Sequence, residues 1–161
     1  MKPNFPPLKV SKHRRVMTKH FCNLALWLPS NELALLNFLV YQTDADNTFK
    51  YSAHLMKQFE KARIAAFEEY QAGIGFRMTE GLHRRSFINL EQQGLIIRCK
   101  KKYIWMLNPL LSYQTDVISV KNFNQIQDKY QTGTLEEVRD LYLSLVAKFL
   151  ESKKKGYTYK K

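Results

Sequence analysis

The side chains with the greatest capacity for chemistry in this chain are cations in three groups: Lys12, Arg14 and Arg15; Arg84 and Arg85; and Lys100, Lys101 and Lys102. A guanidinium pairs two-fold with phosphate or with a guanine edge, and an ammonium meets phosphate as a point charge. Catalytic constellations do not stand out beside them. His13, His20, His54 and His83 have no metal-ligand spacing. No Gly-x-x-x-x-Gly-Lys phosphate loop occurs, and no His-x-His pair precedes a tyrosine as a metal-dependent nicking site requires. The carboxylate pairs Glu68-Glu69 and Asp44/Asp46 read as a solvated helix face and a turn rather than as acid–base pairs. The expectation is a binding protein that is not an enzyme and uses neither cofactor nor metal.

Charge distribution sharpens this. The 161 residues carry 26 basic and 14 acidic side chains, a net +12. Residues 1–29 contribute +6, residues 30–72 −2, residues 73–113 +5, residues 114–152 −2 and residues 153–161 +5. Positive charge gathered in an arm, a central block and a tail suits a polyanion, most often nucleic acid. A 45% apolar fraction with 10 Phe, 9 Tyr and 2 Trp is enough for a packed core. Two cysteines, Cys22 and Cys99, are too few for a disulfide framework, which favours a reducing, cytoplasmic setting. No run is long enough to span a membrane. His13-Arg14-Arg15 before Phe21–Leu28 loosely resembles an export signal, but Asn23 divides the apolar run and no small-residue cleavage site follows.

Periodicity and breakers outline the elements that must hold these cations. Pro3, Pro6 and Pro7 keep the N-terminus extended. Phe21–Leu28 suits a short strand or a helical turn, and periodicity does not decide between them. Pro29-Ser30 opens a helix to Gln42, with Ser30 as N-cap and leucines around most of its circumference, as for a buried central helix. Ser52 caps a second helix to Tyr70, with Leu55, Phe59, Ala62, Ala66 and Tyr70 as one stripe. Thr79 caps a third, to Gln93, which Gly94 stops. At 100° per residue, Leu82, His83, Ser86, Phe87 and Leu90 share one side of it, while Arg84, Arg85, Ile88 and Gln92 lie opposite. Leu95–Cys99 and Tyr103–Leu107 read as a hairpin joined by the lysine triplet, and Asn108-Pro109 stops it. A short helix is expected near Asn122–Tyr130. Thr134-Leu135-Glu136-Glu137 is a capping box that opens a terminal helix with Leu141, Leu145, Val146 and Phe149 on its buried side.

Two stretches carry a family resemblance. Thr79-Glu80-Gly81-Leu82-His83-Arg84-Arg85-Ser86-Phe87-Ile88-Asn89-Leu90-Glu91-Gln92-Gln93-Gly94-Leu95-Ile96 resembles the recognition helix and first wing strand of winged helix-turn-helix proteins, where Leu-Glu-x-x-Gly-Leu-Ile leads from helix into wing. Gly94-Leu95-Ile96-Ile97-Arg98, a basic turn, then Trp105-Met106-Leu107-Asn108-Pro109-Leu110-Leu111 is similar to the wing of small plasmid replication proteins of the RepL type. The similarity to that family covers about a fifth of the chain. It implies a mainly α fold with a small β-hairpin wing, here with an added C-terminal helix. The organisation expected is a basic arm (1–29), a winged-helix domain (30–113), a helical extension (114–152) and a basic tail (153–161).

The resemblance makes double-stranded DNA the expected partner, at a plasmid or mobile-element replication origin or as a regulator of it, with recruitment of host replication proteins. On that expectation Arg84 and Arg85 read base edges or grip phosphate, with Glu80 beside them on the first turn. Asn89 reads adenine from the helix flank, and Thr79 sits where helix N–H groups attract a phosphate. Lys100, Lys101 and Lys102 meet phosphate or the minor groove from the hairpin tip, and Lys12, Arg14 and Arg15 do so from a flexible arm. Trp105 and Tyr103 are expected in the core rather than stacked on bases, and His83 packed. A transcription regulator using the same contacts is the alternative, as is a protein-interaction module built on the winged-helix scaffold. RNA is a further basic-arm partner, and a homodimer through the C-terminal helix is a further expectation.

Overall fold

A computed structural model describes residues 14–44, 46–70 and 80–158. The chain runs β1 (Arg14–Val16), α1 (Thr18–Ala25), α2 (Ser30–Gln42), β2 (Thr48–Lys50), α3 (Ala53–Tyr70), α4 (Glu80–Gln92), β3 (Ile96–Arg98), β4 (Ile104–Leu107), β5 (Ser112–Gln114), α5 (Val120–Thr132) and α6 (Leu135–Thr158). It is mainly helical, with small antiparallel sheets. One has three strands in the order β2-β4-β3, and the other pairs β1 with β5.

Strand β4 is central, and alternation along it divides the interior. Trp105 and Leu107 face a core with Phe49, Phe87, Leu90 and the leucines of α2; Met106 faces a second core with Ile97, Tyr113, Ile126 and Tyr142. Side chains two apart on a strand share a face, so a strand apolar at every position needs cover on both sides. Helices α1–α4 cover one side and α5–α6 the other. Leu35, Leu36 and Leu39 have no solvent exposure, as a leucine-rich central helix requires. In α4 the buried side consists of Ser86, Phe87 and Leu90, while Arg84, Arg85, Ile88 and Gln92 are exposed, the division that 100° steps predict. The side chains of Leu82 and His83 lie outside the described residues.

Helix boundaries follow local chemistry. Ser52 Oγ accepts the Leu55 N–H at 3.1 Å, and Thr134 Oγ1 accepts the Glu137 N–H at 3.2 Å, both as N-caps. Gly94 at φ 70° ends α4: the Gly94 N–H donates to Glu91 O and the Leu95 N–H to Leu90 O. This is the left-handed helix stop that glycine makes without strain.

Several expectations change. Ser30 is not the N-cap of α2; it is the first helical residue, and Pro29 precedes it without a side-chain cap. Ala66 is exposed although it continues the stripe of α3. Residues 14–28 are not a free arm: β1 pairs with β5, α1 forms, and Leu24 and Leu28 are buried. The tail from Lys153 is helical to Thr158. The face expected to dimerise is used within the chain, since Leu145 is buried and Leu141 and Phe149 are half-buried in the second core.

Asn47 joins the two sheets. It is fully buried at φ 61°, a left-handed conformation that asparagine tolerates better than most residues. Its amide donates to Ser112 O at 2.6 Å and Leu107 O at 3.4 Å, and accepts from Arg14 Nη1 at 3.0 Å. Arg14 also donates to Ser112 Oγ at 3.0 Å and Asp44 O at 3.2 Å. Burial pulls its guanidinium below the usual arginine value, and nearby Tyr142 opposes that shift. Asn47→Ala takes one of three acceptors from Arg14 and the amide donor from two carbonyls. Losing the buried amide bonds is expected to cost about 2 kcal/mol, measured by urea unfolding.

Tyr142, fully buried in α6, has a hydroxyl with no hydrogen-bond partner among the described residues. Burial raises its ionisation far above the ordinary tyrosine value of about 10. The unfolded chain therefore loses this proton first. Stability is intact below about pH 10 and falls as pH rises beyond it. Tyr142→Phe removes the orphaned hydroxyl and is expected to stabilise by about 1 kcal/mol at neutral pH and to lessen the alkaline loss, read from melting curves across pH.

Candidate nucleic-acid interface

The turn between β3 and β4 folds back toward the exposed face of α4. In the hairpin, Ile96 pairs with Leu107, Ile97 with Met106 and Arg98 with Trp105, which centres the turn on Lys101 and Lys102. The space between the turn and the helix is an open groove of about 550 Å³. Its walls carry five cations, Arg84, Arg98, Lys100, Lys101 and Lys102, against one carboxylate, Glu91. The aromatic residues Tyr51, Phe87, Tyr103 and Trp105 line it too, with Ile88 and Cys99.

Arg98 sits at the centre of this arrangement. Its Nε lies 3.3 Å from Glu91 Oε1, and its guanidinium carbon lies 4.7 Å from the centroid of the Trp105 ring. Charge and ring face attract, and the flat guanidinium packs on the indole. The Arg98 side chain is nevertheless 69% exposed, so its pairing with Glu91 adds little stability. The backbone beneath is held from the other side, where Arg139 Nη1 donates to Arg98 O at 2.6 Å. The turn is tied to helix and sheet, and its lysine side chains remain in solvent.

Asn108, just past the hairpin, ties it to the end of α4. Asn108 Nδ2 donates to Gly94 O at 2.9 Å, and the Asn108 N–H donates to Leu95 O at 3.0 Å. Asn108 is buried, and its Oδ1 accepts the Leu110 N–H. One asparagine thus sets where the end of the hairpin meets the end of α4.

The expected site residues separate into distinct groups. Arg84 and Lys100–Lys102 share the groove, and Arg85 is exposed beside it on α4. Asn89 does not face outward: its Nδ2 donates to Glu32 Oε1 of α2 at 2.8 Å, so it joins two helices instead of reading a base. Arg14 is committed to the Asn47 network, which removes it from a mobile arm. Arg15 is exposed on β1. Lys12 and Thr79 lie outside the described residues, as does the side chain of Glu80, whose backbone begins α4. Trp105 is in the core as expected, but Tyr103 is 53% exposed, at φ 65°.

Arg98 was absent from the expected site. The register of the hairpin, with the turn centred between Lys101 and Lys102, sets it opposite Trp105. No family model, no curated protein and no solved structure matches the chain. Among the described residues no cluster of His, Cys, Asp and Glu is arranged to hold a metal ion, and no helix is long and apolar enough to cross a membrane.

Cys99 lines the groove half-buried, and burial pushes its thiol up from the ordinary value. Cys22 is exposed on α1. Thiolate is the reactive form. Maleimide at neutral pH is therefore expected to label Cys22 roughly tenfold faster than Cys99, a difference that peptide mass spectrometry on a time course resolves.

Proposed function

We propose that this chain is a winged-helix protein that binds double-stranded DNA. In this reading α4 is the recognition helix and the β3–β4 hairpin is the wing. The order α2-β2-α3-α4-β3-β4, with its sheet arranged β2-β4-β3, supports the architecture. The observation that carries the function is the groove in which Arg84 of α4 and Lys100–Lys102 of the turn converge. A helix fits the major groove of B-DNA, where each base pair presents a distinct set of donors and acceptors. Arg84 and Arg85 are the base-reading candidates, while the lysines hold phosphate. Helices α5 and α6 pack on the face of the sheet away from α4, which leaves the cationic groove open.

The biological role we propose is action at a plasmid or mobile-element replication origin, as initiator or its regulator, recruiting host replication proteins rather than performing chemistry. That part rests on the similarity of Gly94–Leu111 to RepL-type proteins, whereas Leu90–Ile96 resembles winged helix-turn-helix proteins in general. The Asn108–Gly94 bond ties the two ends of the Gly94–Leu111 stretch together.

A protein that neutralises about six phosphates loses affinity with a log–log salt slope of roughly −5. Arg84→Ala is expected to weaken binding to a site selected from random duplexes by about 1–3 kcal/mol and to blur its sequence. Lys101→Ala should weaken every duplex alike and make the slope shallower by about one. Anisotropy titrations of both variants on selected and scrambled duplexes over a salt series measure this. Equal losses on both duplexes for Arg84→Ala would end base reading by that residue.

A further inference from the structure

The cations of the groove answer to phosphate, but its aromatic wall has no role against paired DNA. In a duplex the faces of the bases are covered by their neighbours, so an aromatic ring has no base to stack on. Tyr103 is nevertheless held with its ring largely in solvent. It adopts φ 65°, where a bulky side chain is strained and glycine or asparagine would not be. The position is enforced: the Tyr51 N–H donates to Tyr103 O at 2.8 Å, tying the turn to the end of β2. The Tyr51 ring in turn packs 4.7 Å from Phe87, which fixes the wall from behind. Over one face of the exposed ring, Lys102 Nζ lies 4.9 Å from its centroid, so a base would stack on the opposite face. Across the groove stand Arg84 and the exposed Ile88. Ring, ammonium and guanidinium in one open cleft are what an unpaired nucleotide needs, a surface for the base and cations for its phosphates. The cleft, at about 550 Å³, is within the roughly 300–1,000 Å³ of small-ligand sites.

We infer that this groove captures an unpaired base of DNA, stacked on Tyr103, with the neighbouring phosphates held by Lys102 and Arg84. The inference rests on the DNA-binding reading and adds a preference to it: locally opened duplex over fully paired duplex. At an origin, such a site would hold a strand as it separates.

The test compares two labelled probes, a short paired duplex and the same duplex with a central mismatched bubble, titrated with the full chain and with Tyr103→Ala and Tyr103→Phe. The wild-type chain should bind the bubble about tenfold more tightly, the scale of one base–aromatic stack. Tyr103→Ala should bring the bubble-to-paired ratio to about one, and Tyr103→Phe, which keeps the ring, should preserve it. Tyr103→Gly, which removes the ring and relieves the left-handed backbone, should behave as Tyr103→Ala does; this separates loss of stacking from damage to the turn. Equal wild-type affinity for the two probes overturns the inference and leaves duplex binding standing. A bubble preference that survives removal of the ring also overturns it, because duplex flexibility then accounts for the preference. Absence of salt-sensitive binding to either probe removes the DNA-binding reading as well.

Discussion

A buried amide must find hydrogen-bond partners or lose free energy on folding, and two asparagines of this chain turn that requirement into architecture. Asn47 has no solvent exposure and bonds to Ser112, Leu107 and Arg14. Asn108 is buried and bonds to Gly94 and Leu110. Between them they connect both sheets, the end of α4 and the strand β5 that follows the β3–β4 hairpin. Apolar contacts tolerate small shifts, whereas an amide with directed partners does not. The hydrophobic cores supply most of the driving force, and the amides select one arrangement of β4 relative to its neighbours.

That arrangement has an electrostatic consequence. Burying both faces of the three-stranded sheet leaves its hairpin turn projecting toward α4, and the turn contains three lysines. Five cations then share a groove with one carboxylate. Like charges in proximity repel, and solvent exposure with ionic screening keeps the cost moderate. An accumulation of this kind contributes little to stability and raises attraction for a polyanion over several ångströms. Arg98 shows how it is managed: one side of the guanidinium rests on Trp105, Glu91 pairs with its edge, and most of the side chain still faces water.

Much of the helical layout was legible because helices announce themselves locally. Ser52 and Thr134 are caps, Gly94 is a stop, and the 100° step on α4 separates Phe87 and Leu90 from Arg84 and Arg85. The strands were harder to see. β2 and β5 are three residues each, too short for alternation to register, and they exist because β4 and β1 offer partners far away in sequence. Ser30, one residue from the true cap, shows the ordinary imprecision of helix ends. Asn89 looked like a reader because it lies at the flank of α4. Its partner Glu32 belongs to another helix, and nothing local marks that bond.

Sequence alone determined the charge, the cationic clusters, the helices with their caps, and the amphipathic division of α4, because each follows from residue type and near-neighbour spacing. Tertiary structure decided which cations act together. It sent Arg14 inward to Asn47 and Ser112, and it gathered Arg84, Arg98 and the lysine turn around one groove with Tyr103 exposed on its wall. The physical reason is that these assignments depend on hydrogen bonds and packing between segments tens of residues apart, whose partners come within reach only when the chain has closed on itself.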